Sequence, residues 1–301
     1  MKKDGLAFLL KPRKGRLDMK DHNKGVLLMI AASFCFALMA SAVKYTGDLP
    51  TMQKVFFRNL IGMIISGYII YRSGGSFKGR NRGGLIFRSL FGLTGVFLYF
   101  YALGEIPLSD AVVLNQMSPF FVVILSAWFL KEPIKRLQIP AVFLAMVGVV
   151  FIIRPEFNAT ILPSLIALAS ALFAAAAYTT IRHLRLTDKP QIIIFYFTTF
   201  SVIVAIPFMA FGQFQWPTAL QFISLIGVGV FATGAQFLMT YAYRYAEAGS
   251  LSIYSYGKTL FSTLLGAVIW LEIPDLYSII GILLILTGAY VNYYSSKMKV
   301  G

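Results

Sequence analysis

Hydrophobic residues fall into ten runs, separated by short polar links, that fill the chain from about residue 25 almost to its end. A run of about 20 apolar residues matches the ~30 Å hydrocarbon core of a bilayer, because a helix rises ~1.5 Å per residue. Strands of a membrane barrel would be about half this length and would alternate in polarity. The pattern therefore predicts an all-α membrane protein with ten transmembrane helices. The predicted segments are Gly25–Tyr45, Thr51–Tyr71, Gly84–Gly104, Leu108–Leu130, Leu137–Ile153, Ile161–His183, Gln191–Phe211, Thr218–Tyr243, Gly249–Leu271 and Leu276–Tyr294.

The second half of the chain repeats the pattern of the first. Glu132 and Glu272 are 140 positions apart, and Gly148 and Gly288 show the same shift. Five segments per copy is an odd number, so a second copy enters the membrane from the opposite side; chance similarity among apolar residues is the alternative. Inverted repeats of this kind place a substrate near the midplane, between the two halves. We expect a basic tail at 1–24, two five-helix repeats at 25–154 and 155–296, and a second tail at 297–301.

Lysine and arginine concentrate on one side of the predicted membrane. The chain has a formal net charge of +15, although 58% of its residues are hydrophobic and only 13% are charged. If the N-terminus is inside, the inner links and tails hold nearly all the basic residues, whereas the outer links hold Lys44 and Arg154 among several acidic residues. The positive-inside rule then predicts a bacterial cytoplasmic membrane protein with both termini in the cytoplasm. A nucleic-acid-binding protein would instead cluster these charges on a soluble face.

The sequence shows no pattern typical of metal, redox or enzymatic chemistry. The single cysteine, Cys35, lies inside the first segment, which excludes a disulfide or zinc framework. No paired acids and no nucleophile with a base lie at membrane depth. We therefore predict no catalytic residue, no metal and no cofactor. The basic N-terminal tail lacks a signal-peptide core, and translation starts at either Met1 or Met19.

One lysine lies near the middle of a predicted segment. Lys258 is about ten residues into the ninth segment, hence ~14 Å deep, where an ionisable side chain costs several kcal/mol in lipid. Ser118 holds the equivalent position in the first copy. We interpret Lys258 as an anchor for a carboxylate or another anionic group, or as a titrating coupling site. A lysine that is satisfied by backbone carbonyls or that reaches the interface is the structural alternative.

Four polar side chains are further candidates for substrate binding. Tyr254 lies one helical turn before Lys258, on the same face of a continuous helix. Asn115 lies one turn before Pro119, which frees a backbone carbonyl in the fourth segment. Gln236 in the eighth segment and Tyr178 in the sixth are candidates on the same grounds, as polar side chains within apolar segments. For each of the four, helix packing or an interhelical hydrogen bond is the alternative interpretation.

Two further charges are predicted to be structural or to control gating. Arg58 lies about a turn deeper in the second segment than Lys54, which can reach the outer interface. We expect Arg58 to form an ion pair rather than to contact substrate, with Glu105 or Asp110 as its partner. Asp110 and the neighbouring Ser109 also suit the start of the fourth helix, where they would cap free amides.

Several short motifs resemble those of a known family. They are Val55-Phe56-Phe57-Arg58-Asn59, Tyr101-Ala102-Leu103-Gly104, Ile106-Pro107-Leu108-Ser109-Asp110-Ala111, Ser118-Pro119-Phe120-Phe121, Leu130-Lys131-Glu132-Pro133, Gly148, Arg154-Pro155, Leu264-Leu265-Gly266 and Leu271-Glu272-Ile273-Pro274-Asp275. With these motifs, residues 24 to 295 resemble the ten-helix EamA-like branch of the drug/metabolite transporter superfamily. The resemblance implies a bundle whose central cavity is lined by the first, third, fourth, sixth, eighth and ninth helices.

These observations favour one class of function. Exporters of hydrophobic cations need a buried acidic counter-charge, and no carboxylate lies deep in a predicted segment. We expect a transporter of a small polar metabolite, such as an amino acid or another carboxylated, zwitterionic or anionic compound, that works by alternating access and favours export. A lipid flippase, a membrane-embedded enzyme and a transporter of organic cations are the alternatives. The expected partners are the small-molecule substrate and membrane lipids but not nucleic acid, and the expected state is a monomer or a weak homodimer.

Overall fold

The computed structural model describes residues 19–129, 136–153, 161–184, 187–245, 251 and 254–297. In this part of the chain the helices are α1 (Met19–Tyr45), α2 (Thr51–Arg72), α3 (Arg82–Glu105), α4a (Leu108–Asn115), α4b (Ser118–Phe129), α5 (Gln138–Ile153), α6 (Ile161–Leu184), α7 (Pro190–Phe208), α8 (Ala219–Tyr245), α9 (Gly257–Trp270) and α10 (Leu276–Lys297). A π-helical turn, Met209–Gln213, extends α7. Residues 1–18, the motif at 130–133, Arg154 with Pro155, and most of 246–253 lie outside the described residues.

The prediction of an all-α membrane protein with ten helices is confirmed. Among the described residues, eight spans are long and apolar enough to cross a membrane, one of them formed by α4a and α4b together; α5 and α9 are shorter apolar helices. Large apolar side chains point outward on most helices; Trp128 and Val268, for example, are 75% and 70% exposed. Such a surface is typical of a protein whose exterior faces lipid rather than water.

Two helices that correspond in the repeat are interrupted at corresponding places. The fourth helix breaks after Asn115 because Pro119 lacks an N–H and its ring clashes with the carbonyl four residues earlier. A similar turn occurs at Tyr256, which lies 140 positions after Gln116, although no proline is present there. The breaks also touch each other: the Gln116 side chain donates to the Ser255 carbonyl over 3.1 Å, and the Tyr256 hydroxyl lies 3.4 Å from the Gln116 carbonyl.

The main helix contacts relate the two halves symmetrically. Helix α1 packs on α8, and the corresponding helices α6 and α3 pack on each other in the same way. Helix α2 packs on α7 and α5 on α10, so each of these helices contacts its own counterpart. Helix α9 packs on α1 as α4b packs on α6. This pattern agrees with two inverted five-helix repeats that are interleaved into one bundle.

Glycines allow α5 and α10 to approach at backbone distance. A Cβ atom added to Gly148 would lie 2.7 Å from the Gly281 carbonyl oxygen, and one added to Gly288 would lie 2.7 Å from the Ala141 carbonyl oxygen. Small residues at helix interfaces are the usual means of close packing in membranes. The two helices therefore form a tight pair that lies apart from the central cavity described below.

The bundle has two chemically different ends. We call the end at which α1 begins and α10 ends the basic end, because its α2–α3 and α6–α7 links carry Lys78, Arg80 and Lys189. The opposite end is called the acidic end, because Asp48, Glu105, Glu272 and Asp275 lie there.

Candidate substrate cavity

A cavity of about 530 Å³ lies between the two halves of the bundle. Its lining comes from α1, α3, α4a, α6, α8 and α9, as the family resemblance implies, and also from α2 and α7. In α2 the lining runs from Arg58 towards the basic end as far as Ile69, and at that end it includes Pro190 and Gln191. The cavity therefore extends from the middle of the bundle to its basic end. Its volume is within the usual range for small-molecule sites, about 300–1,000 Å³.

Helical spacing in α3 explains one wall of the cavity. Arg88, Gly92, Gly95 and Tyr99 recur every three or four residues, so they share one face, and all four line the cavity. The two glycines leave space for neighbouring groups: a Cβ on Gly92 would lie 2.6 Å from an Arg88 guanidinium nitrogen, and one on Gly95 would lie 3.1 Å from the Ala174 backbone nitrogen.

Lys258 lies at the middle of the bundle and lines the cavity. It is the second residue of α9, directly after the turn at Tyr256, and is 8% exposed. Its ammonium lies 4.7 Å from the centroid of the Tyr99 ring and 6.0 Å from that of Phe36. Within the described residues it has no carboxylate partner. The arrangement is a cation on an aromatic wall, beside a space that is large enough for a ligand.

Arg58 and Arg88 carry two more positive charges into the same cavity. Their guanidinium carbons lie 5.7 Å and 3.9 Å from the centroid of the Phe197 ring. Arg58 donates to the Asn59 side-chain oxygen at 3.2 Å. Three other nitrogens are buried without a hydrogen bond to any described residue: Nε of Arg58, and Nε and Nη1 of Arg88. Every charged residue in the described lining is therefore basic.

The aromatic contacts compensate only part of the cost of burying these charges. A cation–π contact contributes about 0.5–2 kcal/mol. Taking one ion out of water costs several kcal/mol even after the protein relaxes. Buried guanidinium groups are normally paired with a carboxylate for this reason. The cavity thus has an unbalanced positive charge that an anionic ligand would neutralise.

The predicted binding residues differ in their positions. Asn115, Gln236 and Tyr178 line the cavity together with Lys258. Asn115 donates to the Ser170 hydroxyl at 3.0 Å, which directs its amide across the interface between α4a and α6. Gln236 lies on α8, and Tyr178 is half exposed on α6.

Tyr254 is not among the lining residues of the cavity. The turn at Tyr256 interrupts the helix between Tyr254 and Lys258, so the two side chains do not share a continuous helical face. Tyr254 instead packs beside Met29 and Leu251, and its backbone carbonyl accepts a hydrogen bond from the Ser33 hydroxyl at 3.0 Å.

The two predicted structural charges lie apart from each other. Arg58 is in the cavity wall, and no described carboxylate lies within ion-pair distance of it. Asp110 lies at the acidic end, where it accepts hydrogen bonds from the Ser278 and Ser109 hydroxyls at 3.3 Å and 3.2 Å. Lys54 donates to the Gly47 carbonyl at 2.7 Å in the nearby link.

Sequence reasoning missed Arg88 as a cavity residue. Its position near other basic residues indicated a solvated inner link, but it is the seventh residue of α3 and is only 7% exposed. The available signal was its spacing with Gly92, Gly95 and Tyr99, which places a charge on a small-residue stripe rather than in a link. Asn59, Tyr99 and Phe197 were also missed, because an aromatic or amide residue in an apolar segment is not distinctive.

The acidic end is closed by polar contacts between the halves. Lys44 at the end of α1 forms an ion pair with Glu272 and also donates to the Ile106 carbonyl at 3.0 Å. The other oxygen of Glu272 accepts from the Leu108 backbone N–H at 2.9 Å. Leu271, which precedes Glu272, has a φ of +56°, a conformation that costs a non-glycine residue about 1–2 kcal/mol. We call Lys44, Glu272 and the two backbone groups the acidic-end latch.

Apolar residues from both halves close the bundle beneath this latch. The cluster includes Val43, Val55, Leu103, Ala111 and Val228, which are all fully buried. The described lining of the cavity ends at Phe100 in α3 and at Arg58 in α2, three residues short of Leu103 and Val55 of this cluster. Packed side chains and the latch therefore separate the cavity from the acidic end.

A carboxylate joins two links at the basic end. Asp188 accepts hydrogen bonds from the backbone N–H groups of Arg80 at 2.6 Å and Asn81 at 3.1 Å, and from the Thr187 hydroxyl at 2.7 Å. Desolvation of Asp188 opposes ionisation, but these hydrogen bonds and the charge of Arg80 outweigh it and lower the pKa of Asp188 below its ordinary value. We call this group of contacts the Asp188 clasp.

Comparison with known proteins identifies the family of this chain. The model of the EamA-like transporter family matches residues 23–154 and again residues 161–294. The chain is 34% identical over 267 residues to the pseudopaline exporter CntI of Pseudomonas aeruginosa, covering 88% of this chain and 94% of that protein. It is 24% identical to a riboflavin transporter of Vibrio cholerae, covering 93% of this chain and 97% of that protein.

A solved crystal structure has the same fold. It superposes with a TM-score of 0.65 at 20% sequence identity, covering 90% of this chain and 96% of that chain. At this identity the likeness is evidence for the fold alone.

Proposed function

Because the chain belongs to the EamA-like transporter family and is a membrane transporter with a small-molecule substrate, we propose that it moves a small carboxylated metabolite by alternating access. The observation that carries this proposal is the central cavity, in which Arg58, Arg88 and Lys258 are the charged lining residues of the described chain. A carboxylate is the chemical group that this charge would attract.

In this proposal Lys258 holds the anionic end of the substrate near the middle of the membrane. Further polar contacts to the substrate come from Asn115, Gln236 and Tyr178. The rings of Tyr99 and Phe36 pack against the remainder of the substrate. A cavity whose charges are all positive repels organic cations, which argues against a cation exporter.

The basic end faces the cytoplasm under the positive-inside rule. The cavity would then load from the cytoplasm while the acidic-end latch keeps the other side closed. A cytoplasm-facing cavity and a relative that is named as an exporter both support export. The multi-pass chain would lie in a bacterial cytoplasmic membrane with both termini inside; fusing a reporter that is active on only one side of the membrane to each terminus tests this orientation.

Transport by purified protein in liposomes tests the role of Lys258. With a carboxylated substrate, Lys258→Met should abolish transport, whereas Lys258→Arg should retain part of it because the charge remains. Lys54→Met is a matched control, since Lys54 is also buried in a helix but lies outside the cavity wall. Melting temperatures of all variants establish that they fold. Unchanged transport by folded Lys258→Met would refute the proposal.

A further inference from the structure

We propose that Arg58 and Arg88 form a second anion subsite in the cavity, so that the substrate carries at least two carboxylates rather than one. This inference rests on the proposed function and adds a substrate class to it. Lys258 holds one carboxylate, and the two guanidinium groups beside Phe197 hold the other. The inference depends on three observations: the shared position of the two arginines, their unpaired nitrogens and the charge balance of the cavity.

Both arginines lie against the same aromatic ring. The distances from the two guanidinium carbons to the Phe197 centroid, 5.7 Å and 3.9 Å, keep those carbons no further apart than the sum of the two, about 9.6 Å. The arginines come from different helices, α2 and α3, while Phe197 comes from α7 in the other half of the chain. Two guanidinium groups within this limit can approach the same anionic group, and each offers the planar set of donors that matches a carboxylate.

Three nitrogens of this pair have no hydrogen-bond partner among the described residues. Arg88 is 7% exposed and lines the cavity, and its Nε and Nη1 are buried with no hydrogen-bond partner among the residues that the structure describes. Arg58 Nε is also without a partner in the described part of the chain, where Arg58 Nη1 donates to the Asn59 side-chain oxygen. Stacking on Phe197 compensates little of the desolvation of two guanidinium groups. Unused buried donors that face a cavity are typical of a site that a ligand completes.

The charge of the cavity favours a ligand with more than one carboxylate. Arg58 is close enough to both Arg88 and Lys258 for their positive charges to repel one another. A zwitterionic amino acid has no net charge and would leave all three charges unbalanced. A compound with two carboxylates neutralises two of them, and a cavity of about 530 Å³ has room for such a compound.

Paired probes of equal size test the number of carboxylates. The pairs are aspartyl-phenylalanine and asparaginyl-phenylalanine, glutamate and glutamine, and succinate and succinamate; within each pair the second member has one carboxylate fewer. Binding to the purified full-length protein is measured from the rise in melting temperature with probe concentration. In at least one pair we expect the dicarboxylate to bind about 10- to 100-fold more tightly than its monoamide.

Variants assign this preference to the arginine pair. Arg88→Gln should reduce the preference for the dicarboxylate to near unity while the monoamide binds as before. Lys258→Met should weaken both members of the pair. Arg88→Lys, which keeps the charge but loses the planar donors, should recover part of the preference.

The melting temperature without a probe is a second readout. It distinguishes a binding role of Arg88 from a structural one, because loss of a structural residue would lower it. Since Arg88 is repelled by Arg58, Arg88→Gln should leave the melting temperature unchanged or raise it. A large decrease would mean that Arg88 holds the fold together, and would overturn the inference.

Different results would refute the second subsite and the proposed carboxylate transport. If the protein binds the two members of every pair equally, or if Arg88→Gln weakens both members to the same degree, the second subsite is refuted but carboxylate transport stands. If none of the carboxylates is bound by the unmodified protein, the proposed function fails, and the second subsite fails with it.

Discussion

Each end of the bundle contains one copy of a link that the repeat duplicates, and the two copies form different hydrogen bonds. Asp48-Leu49-Pro50 at the acidic end and Asp188-Lys189-Pro190 at the basic end are related by the 140-residue shift of the repeat. Asp48 is exposed, whereas Asp188 is buried and accepts three hydrogen bonds. At the acidic end the Gln53 side chain, rather than Asp48, joins two segments: it donates to the Gln215 carbonyl at 2.9 Å and accepts from the Gln215 N–H at 3.1 Å. The halves are thus similar in fold but not in their contacts.

The larger difference between the ends is access to the cavity. The lining extends to the basic end, while the Lys44–Glu272 ion pair and a packed apolar cluster close the acidic end. A molecule built from inverted repeats can exchange the conformations of its halves and so exchange which end is closed. On this account the asymmetry belongs to one of two conformations, and the contacts at each end set the balance between them.

The largest effect is expected from breaking the acidic-end latch. Glu272→Gln removes the ion pair with Lys44, a charge-assisted contact of about 1.5–3 kcal/mol, and should favour opening of the acidic end about 10- to 100-fold. The readout is the reactivity of a cysteine placed at the fully buried Ala111, in a Cys35→Ser background, towards a membrane-impermeant thiol reagent.

Asp275→Asn is the matched control, because Asp275 is a nearby acid that caps α10 through the Ser278 backbone N–H. It should leave the reactivity of the cysteine at position 111 nearly unchanged. Lys44→Glu and Glu272→Lys together restore the ion pair but not the hydrogen bonds to Ile106 and Leu108, so they should lower the reactivity only in part. Equal reactivity in the latch variant and the unmodified protein would mean that the latch does not keep this end closed.

A smaller effect is expected in the α5–α10 pair, which both conformations are expected to keep. Gly148→Ala places a methyl group 2.7 Å from the Gly281 carbonyl oxygen, so the two backbones must separate. We expect a loss of about 1–2 kcal/mol, since overpacking by the smallest addition lies at the low end of measured costs. Thermal unfolding in detergent measures it. Gly234→Ala, where the added group meets nothing within 4 Å, should show no such loss.

The Asp188 clasp should contribute about 1–2 kcal/mol to stability. Asp188→Asn removes the charge that the Arg80 and Asn81 amides hydrogen-bond, although one amide oxygen remains as an acceptor. At roughly 2–4 °C per kcal/mol, the melting temperature at neutral pH should fall by several degrees. Asp48→Asn is the control, because this counterpart is exposed. Equal melting temperatures for Asp188→Asn and the unmodified protein would contradict the prediction.

The smallest effect is the pH dependence of the difference in melting temperature between the unmodified protein and Asp188→Asn. The folded pKa of Asp188 lies below its ordinary value, so its contribution is complete above the ordinary value of 3.8 and is lost as the pH falls through the lowered pKa. The gap in melting temperature between the unmodified protein and Asp188→Asn should be constant from about pH 5 to 8 and should close below about pH 4. A gap that persists at low pH would show that the charge is not its cause.

The fold was largely predictable because bilayer thickness sets the length of an apolar run. All ten predicted segments begin or end within a few residues of a described helix, and Pro119 indicated the break in the fourth segment. The break at Tyr256 has no proline, so the signal that marked the break in the fourth segment is absent there. That break explains why the predicted shared face of Tyr254 and Lys258 does not exist in the structure.

The candidate site was predictable where a charged or polar side chain lies deep in a segment. Lys258 was identified on this basis, and Asn115 through its position before Pro119. Arg88 lies near the start of α3, where a basic residue normally belongs to a solvated link, and its burial depends on contacts with α7. Such contacts between distant segments have no signature in a single sequence.

Thiol accessibility at position 258 tests most directly whether a charge in the middle of the bundle faces an aqueous cavity. In a Cys35→Ser background, Lys258→Cys and Leu260→Cys differ by two residues on α9, but Leu260 is 66% exposed on the outer surface and outside the cavity lining. In membrane vesicles of known orientation, a charged thiol reagent should label the cysteine at position 258 from the basic end and leave the one at position 260 unlabelled. Failure to label position 258 from either side, or equal labelling of both positions, would contradict the account.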